Sequence, residues 1–233
     1  MFGLLDVGTQ TSLARLRSGG FALLDSYTLT DEVAEKVMAL TDNGRAIEAI
    51  LNLHPFHTVH VKKTAAMFPE AKLFGTRRHR EKAPGLPWQD LLTEQAELHA
   101  KFADDFVFTV PRGVDFISSN ENLHFSSVLA MHRSSRTLHV DDTLMFTKLP
   151  FIGGLSFHMM LKAVLERRPG AAADFRAWAE ELISLCGGVE QLCTAHAKPL
   201  PPSTSEGFDL AAAVRGALKK VDKVLRAHEK QYS

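Results

Sequence analysis

The sequence predicts an α+β fold: a four-layer αββα sandwich of two mixed β-sheets with helices on the outside. Three observations predict it. The first hundred residues alternate strand-like and helix-like segments. The middle of the chain holds a block of short β-type runs separated by turn residues. From Phe157 onward the helical period returns, interrupted by one more short strand.

The elements follow in order. Ser12 to Arg17 and Phe21 to Asp25 read as a hairpin across Ser18-Gly19-Gly20. Thr30 to Leu40 sets Val33, Val37 and Leu40 on one face behind acids in its first turn, so it reads as a helix capped by Thr30 or Asp31. Ile47 to Leu53 is a buried-strand run. Val61 to Met67 is helical and stops near Pro69, and Ala71 to Phe74 is a short strand. The segment Thr76 to Pro87, basic and then rich in Pro and Gly, reads as a loop. Leu91 to Phe102 is amphipathic and reads as a helix. Phe106 to Val110, Val114 to Ser118, Phe125 to His132 and Thr137 to Val140 read as strands. Leu161 to Glu166, Ala171 to Leu185 and Leu210 to Ala227 read as helices, with Val189 to Thr194 as a strand between the last two. Pro199 to Ser205 is linker-like. The segment after it, within 206–229, is too short to build its own core and reads as a C-terminal packing helix of a single 1–233 domain.

Composition narrows the function. The chain has 233 residues, 45% of them hydrophobic, and 27 basic residues balance 27 acidic ones. Sequence-independent binding to nucleic acid or to an anionic membrane needs a basic excess, so neither partner is expected. No run of about 18 apolar residues is present, so no membrane span is expected. Met1 to Asp6 lacks the basic start of a secretory signal. The two cysteines, Cys186 and Cys193, make no disulfide framework and read as reduced thiols of a cytoplasmic protein.

The 11 histidines stand out. In Leu53-His54-Pro55-Phe56-His57-Thr58-Val59-His60, three of them fall at a strand-to-helix junction. His57 and His60, three apart, can point to one side of a helix start. Imidazole is the commonest zinc ligand and also suits iron. His124, Asp141-Asp142 and His196 each sit beside a strand terminus, where loop side chains can converge on one cleft.

These residues resemble the metallo-β-lactamase-fold hydrolases, a superfamily that includes glyoxalase II and many uncharacterised members. Its pattern is His-x-His-x-Asp-His after a βαβ start, then an isolated His, a Gly-Asp and a late Gly-His. Leu24-Asp25-Ser26 resembles the Asp-x-Gly strand, and Ala49 to Pro55 resembles the strand that delivers the His motif. Phe68 to Phe74 resembles the proline-containing approach to the next strand. His124 stands at the isolated His, Val140 to Leu144 resembles Gly-Asp-Thr-Leu, and Cys193 to Ala197 resembles Gly-His-Gly. Met131 to Leu138 resembles an uncharacterised branch. The chain departs from the pattern at Pro55 and Val59, which occupy the first His and the Asp positions, and at Asp141 and Ala195, which replace glycines.

The resemblance implies one or two divalent metal ions, zinc foremost and iron second. A first metal position would use His57 and His124, with His54 if the loop bulges by one residue. A second would use His60, His196 and Asp142, the last as bridging catalytic carboxylate. Val59 supplies no donor, so the second position is weakened, and Val59→Asp is expected to raise metal content. His139, which alternates with Asp141 along its strand, is the best spare ligand. Arg133 and Arg136 flank a turn and could grip a substrate anion, as could Arg77 to Arg80. The activity implied is hydrolysis of a small ester, thioester, lactone or phosphoester. The alternatives are a regulatory protein with a degenerate site and an iron-binding redox protein. The stripe Leu210, Val214, Leu218, Val221 and Leu225 is expected to pack on the chain's own sheets, with a homodimer as the alternative.

Overall fold

The computed structural model describes residues 10–147, 154–195 and 209–233, which divide into two compact units. The N-terminal unit is Gln10–Val107, and the C-terminal unit holds the described residues from Phe108 to Ser233.

In the N-terminal unit, β1 (Ser12–Arg15) and β2 (Phe21–Leu24) form the antiparallel hairpin the sequence predicts. Its turn closes by Leu16 N–H donating to Gly20 O at 2.8 Å, with Gly19 at φ +96°. Helix α1 (Asp31–Leu40) starts on Asp31 and Glu32, whose charge suits the helix N-terminus. It ends where Asp42, Asn43 and Gly44 all turn left-handed, a conformation for which short polar side chains and glycine are suited. Strand β3 (Ile47–Leu51) follows, then α2 (Val61–Met67), β4 (Lys72–Gly75), α3 (Arg77–Lys82), β5 (Trp88–Leu92) and α4 (Ala96–Lys101). The sheet order is β1-β2-β3-β4-β5, with β2 to β5 parallel. Ile50 and Leu51 of the central β3 are fully buried, as expected of a parallel strand covered on both faces.

Two expectations fail in this unit. Residues 77–82 form α3 rather than a loop, because Thr76 and His79 make a reciprocal capping box that nucleates a short helix from a basic sequence. Residues 88–92 form β5 and only Ala96–Lys101 is helical, since β4 offers a parallel edge that overrides the local helical pattern.

Strand β6 (Phe106–Thr109) carries the chain from one unit into the next. The C-terminal unit then adds β7 (Leu129–His132), β8 (Thr137–Asp141), β9 (Leu144–Thr147), β10 (Gly154–Phe157), α5 (Leu161–Val164), α6 (Ala171–Cys186), β11 (Gln191–Thr194) and α7 (Leu210–Gln231). Its sheet runs β11-β8-β7-β6, with β7 antiparallel and β11 parallel to β8, so this sheet is mixed as well. Strands β9 and β10 form an antiparallel pair that periodicity did not reveal. The strand expected at 114–118 is reduced to a single bridge between Val114 and Leu165, and the one expected from Phe125 begins only at Leu129. Residues 125–128 are buried but spend their polar groups on Thr143 and Asp115 instead of a ladder.

The core of this unit gathers Phe125, Phe157, Phe175 and Trp178 in edge-on and tilted contacts. Trp178 is fully buried and its Nε1–H donates to Thr109 Oγ1 at 2.9 Å. The α7 stripe Leu210, Val214, Leu218 and Leu225 is buried in the same core. Asp209 caps α7 by accepting from Ala212 N–H at 2.9 Å. Among the described residues no helix is long and apolar enough to cross a membrane.

Candidate functional site

The histidine loop of the N-terminal unit begins where β3 ends. Asp25, just past β2, is buried and left-handed at φ +58°. Its Oδ1 accepts from Leu53 N–H at 2.7 Å and from His54 N–H at 3.2 Å, so a single carboxylate fixes the turn out of β3. Asn52 ties the same point to β4, its Nδ2 donating to Phe74 O at 2.9 Å.

His54 is fully buried, and its ring stacks on that of His57 with centroids 4.1 Å apart and planes 18° from parallel. His54 Nδ1 accepts Phe56 N–H at 3.1 Å, which puts the proton of the neutral ring on Nε2. Ligation through that Nε2 requires the ring to turn or to lose its proton. His60 differs. Its Nδ1 pairs with Thr28 Oγ1 at 2.8 Å and its ring meets Tyr27 edge-on. In the tautomer that donates Nδ1–H to Thr28, Nε2 carries the lone pair, the arrangement that orients metal-ligating imidazoles. Burial, then the nearby His57 and Lys63, holds the His60 pKa below its ordinary value. Val59, between them, is 84% exposed.

Helix α3 closes the unit behind this loop. Arg78 stands 4.5 Å over the Phe56 ring, a cation–π contact at a nearly buried guanidinium. His79 is buried, and Thr76 N–H donates to its Nδ1 at 3.2 Å. Burial pushes its pKa down to about 4 against the opposing pull of Asp25. The basic run Arg77 to Arg80 is therefore partly internal, with Arg78 and His79 packed and Arg77 exposed beside Glu81 at 3.7 Å.

In the C-terminal unit, His124 N–H meets Met160 Sδ at 3.3 Å, and its Nε2–H donates to Glu121 O at 2.8 Å. A carbonyl only accepts, so the neutral ring carries its lone pair on Nδ1, again the tautomer a metal ligand needs. Asp141 and Asp142 leave β8 buried, Asp141 at φ +48°. Thr143 anchors that turn: its Oγ1 donates to Phe125 O at 3.0 Å and accepts Ser127 N–H at 3.1 Å. Asp141, Asp142 and Thr194 border a cavity of about 20 Å³, room for one water or one ion. His139 is buried on β8, in register with Ala130 and Cys193. Arg136 is drawn to Glu190 at 2.7 Å and to Gly188 O, so it fastens the β7–β8 turn to the approach to β11. Arg133 lies in the same exposed turn, and His196 lies outside the described residues.

His54 and His57 thus stack in one unit, and the sequence neighbours Asp141 and Asp142 are both buried in the other. Sequence reasoning met Thr143 only within the Gly-Asp-Thr-Leu likeness and missed Thr28 and Ser127, whose hydroxyls help to fix these groups. An isolated Thr or Ser carries no pattern that marks it.

No protein-family model matches the chain, and no curated protein matches it in sequence. Solved structures do. The metallo-β-lactamase from Erythrobacter litoralis, described with β-mercaptoethanol in its active site, aligns with TM-score 0.55 and 13% identity over 92% of this chain and 85% of its own. The DIM-1 metallo-β-lactamase gives TM-score 0.55 and 11% identity over 92% of each chain. A metallo-β-lactamase family protein from Thermus thermophilus gives 0.53 and 14% over 94% of this chain and 76% of its own. The chain has the metallo-β-lactamase fold.

Proposed function

We propose that this chain, on the metallo-β-lactamase fold, is a divergent metal-dependent hydrolase of a small ester, thioester, lactone or phosphoester. The observation that carries the reading is the pair of ring orientations at His60 and His124. At His124, Nε2–H donates to the Glu121 carbonyl, and at His60, Nδ1 pairs with the Thr28 hydroxyl, so a hydrogen bond sets each ring. Asp141 and Asp142 add buried carboxylates of the type that accompany imidazoles at zinc and iron.

The proposed ligands are His57, His60, His124, Asp142 and His196, with Asp142 as the bridging carboxylate. His54 holds His57 by stacking and would ligate only after turning its ring or losing its Nε2 proton. A bound Zn²⁺ supplies a water whose pKa falls to about 7 and polarises the oxygen of the bond to be cut. The chain's own contribution is to orient the imidazoles: Thr28 sets the His60 ring, burial lowers its pKa, and Asp25 fixes the loop that carries it. The proposed setting is the cytoplasm, where the buried thiols of Cys186 and Cys193 stay reduced.

Metal analysis of protein purified without added metal tests the reading. We expect one to two equivalents of zinc, reduced in His60→Ala, His124→Ala and Asp142→Asn. Hydrolysis of a 4-nitrophenyl ester, a thioester and a bis-phosphoester should fall with the metal. Val59→Asp should raise metal content. Near-zero metal with no hydrolysis favours the regulatory alternative, and stoichiometric iron with redox activity favours the third.

A further inference from the structure

A cavity of about 450 Å³ opens in the C-terminal unit, between α5 with its following turn, the 118–124 loop and the last turns of α7. That volume lies within the range of about 300–1,000 Å³ usual for small-molecule sites. Its lining is divided by chemistry. Leu123, Leu165 and Val224 supply an apolar wall continuous with the unit's core. Lys162 and Arg167 border it, and among the described residues neither side chain makes an ion pair or a hydrogen bond. The acid nearest in sequence, Glu166, is already committed to Arg168 at 2.6 Å, and its carbonyl accepts His228 Nε2–H at 2.9 Å. His228 therefore turns Nδ1 away from that bond, with its ring 4.5 Å from that of Tyr232.

Exposed Lys162 and Arg167 beside the apolar wall give the pocket a positive rim, with no acid in its lining among the described residues. Most arginines on this unit's surface are paired: Arg112 with Glu181, Arg168 with Asp174 and Glu166, Arg176 with Asp222, Arg215 with Glu180. A pocket that keeps two positive charges without acids favours an anion, and the wall favours one with an apolar body.

We propose that this pocket binds a small organic carboxylate with an apolar body, such as a medium-chain carboxylate. The carboxylate sits between Lys162 and Arg167, where the guanidinium can hold both oxygens. The body lies on Leu123, Leu165 and Val224. None of the groups proposed as metal ligands lines the pocket, so this site and the hydrolase reading stand or fall separately.

The test titrates the full chain with octanoate, read by calorimetry and by amide chemical shifts. Acetate, which has the charge without the body, and 1-octanol, which has the body without the charge, serve as probes of each half. We expect saturable one-to-one binding of octanoate with shifts at Leu123, Ala163, Val224 and Tyr232. Acetate and 1-octanol should each bind at least tenfold more weakly. The double variant Lys162→Gln/Arg167→Gln should weaken octanoate at least tenfold without moving the thermal midpoint, since both side chains are exposed. Ala227→Glu, at an exposed lining position, should do the same by repulsion. Absence of saturable binding, equal binding of 1-octanol or acetate, or octanoate affinity unchanged in both variants would overturn the proposal.

Discussion

Replacing Asp25 tests whether one carboxylate organises the histidine loop. Its Oδ1 accepts two backbone N–H groups, from Leu53 and His54, both buried. A hydrogen bond to a charged group contributes about 1.5–3 kcal/mol, and a buried donor left without a partner loses that in full. Asp25→Ala forfeits both bonds and keeps the left-handed backbone at φ +58°, which alanine tolerates less well. The expected cost is about 3–5 kcal/mol. Asp25→Asn retains an acceptor oxygen, and neutral bonds of about 0.5–1.5 kcal/mol each survive, so its cost is about 1–3 kcal/mol. With a urea m-value of about 2–3 kcal/mol/M, the alanine variant should unfold about 1–2 M earlier than wild type. The chain's two tryptophans fall one in each unit, Trp88 and Trp178. In a Trp178→Phe background, fluorescence reports the N-terminal unit through Trp88, and the Asp25 variants should be read there. Equal midpoints for alanine and asparagine, or an alanine midpoint within about 0.5 kcal/mol of wild type, would refute the reasoning, because the loop would then be held by something else.

Other expectations follow from burial and backbone geometry. His79 has its folded pKa pushed down to about 4, so between about 6.5 and about 4 the unfolded chain takes a proton that the folded one refuses. Stability should fall as pH drops through that window, by up to about 3 kcal/mol, and His79→Gln should flatten the slope in urea melts at pH 7.5 and 5; His60 and His99, whose values are also lowered, add to the slope in the same direction. Gly113, at φ +72°, packs so closely on the Ala171 carbonyl that a Cβ would collide with it. Gly113→Ala should cost more than about 3 kcal/mol or abolish soluble expression, whereas Gly19→Ala, with open space around it, should cost only its backbone strain of about 1–2 kcal/mol. Cys186 is buried and burial pushes its thiol up to about 12, and Cys193 is buried too. Neither should react with a disulfide reagent at pH 8 until urea is added, and fast labelling of one equivalent in the native protein would contradict the packing.

The sequence was legible where side-chain pattern and backbone agree. The hairpin at Ser18-Gly19-Gly20, the helix opened by Asp31 and the run Ile47 to Leu51 all carry local signals that tertiary contacts reinforce. It was illegible where partners lie far along the chain. Strand β5 reads Trp-Gln-Asp-Leu-Leu, a pattern with no alternation, and exists because β4 offers it a parallel edge. Helix α3 forms from Arg-Arg-His-Arg-Glu-Lys because His79 caps it with its side chain, a role that no spacing rule assigns to histidine. The candidate site divides the same way. The residue types that bind metals stood out at once, but which nitrogen of each imidazole faces inward depends on Thr28, Phe56 and Glu121. Those partners are ordinary residues until the fold places them.

The strand order of the N-terminal sheet has a consequence for synthesis on the ribosome. Because β1 to β5 lie side by side in the order in which they are translated, each new strand adds to the edge left by the one before it. Each parallel pairing closes a loop of about 15–27 residues, against about 54 between β8 and β11, so its partner is already present when its strand is made. The second sheet cannot grow that way. Strand β11 joins β8 in parallel only after α6 has emerged, roughly 50 residues later, a wait of about 3–10 s at ~5–20 residues per second. During that interval the buried apolar side chains of β8, Leu138 and Val140, have an open edge beside them. Slowing translation there should leave the first hundred residues folded while exposing the nascent second half to chaperones and proteases.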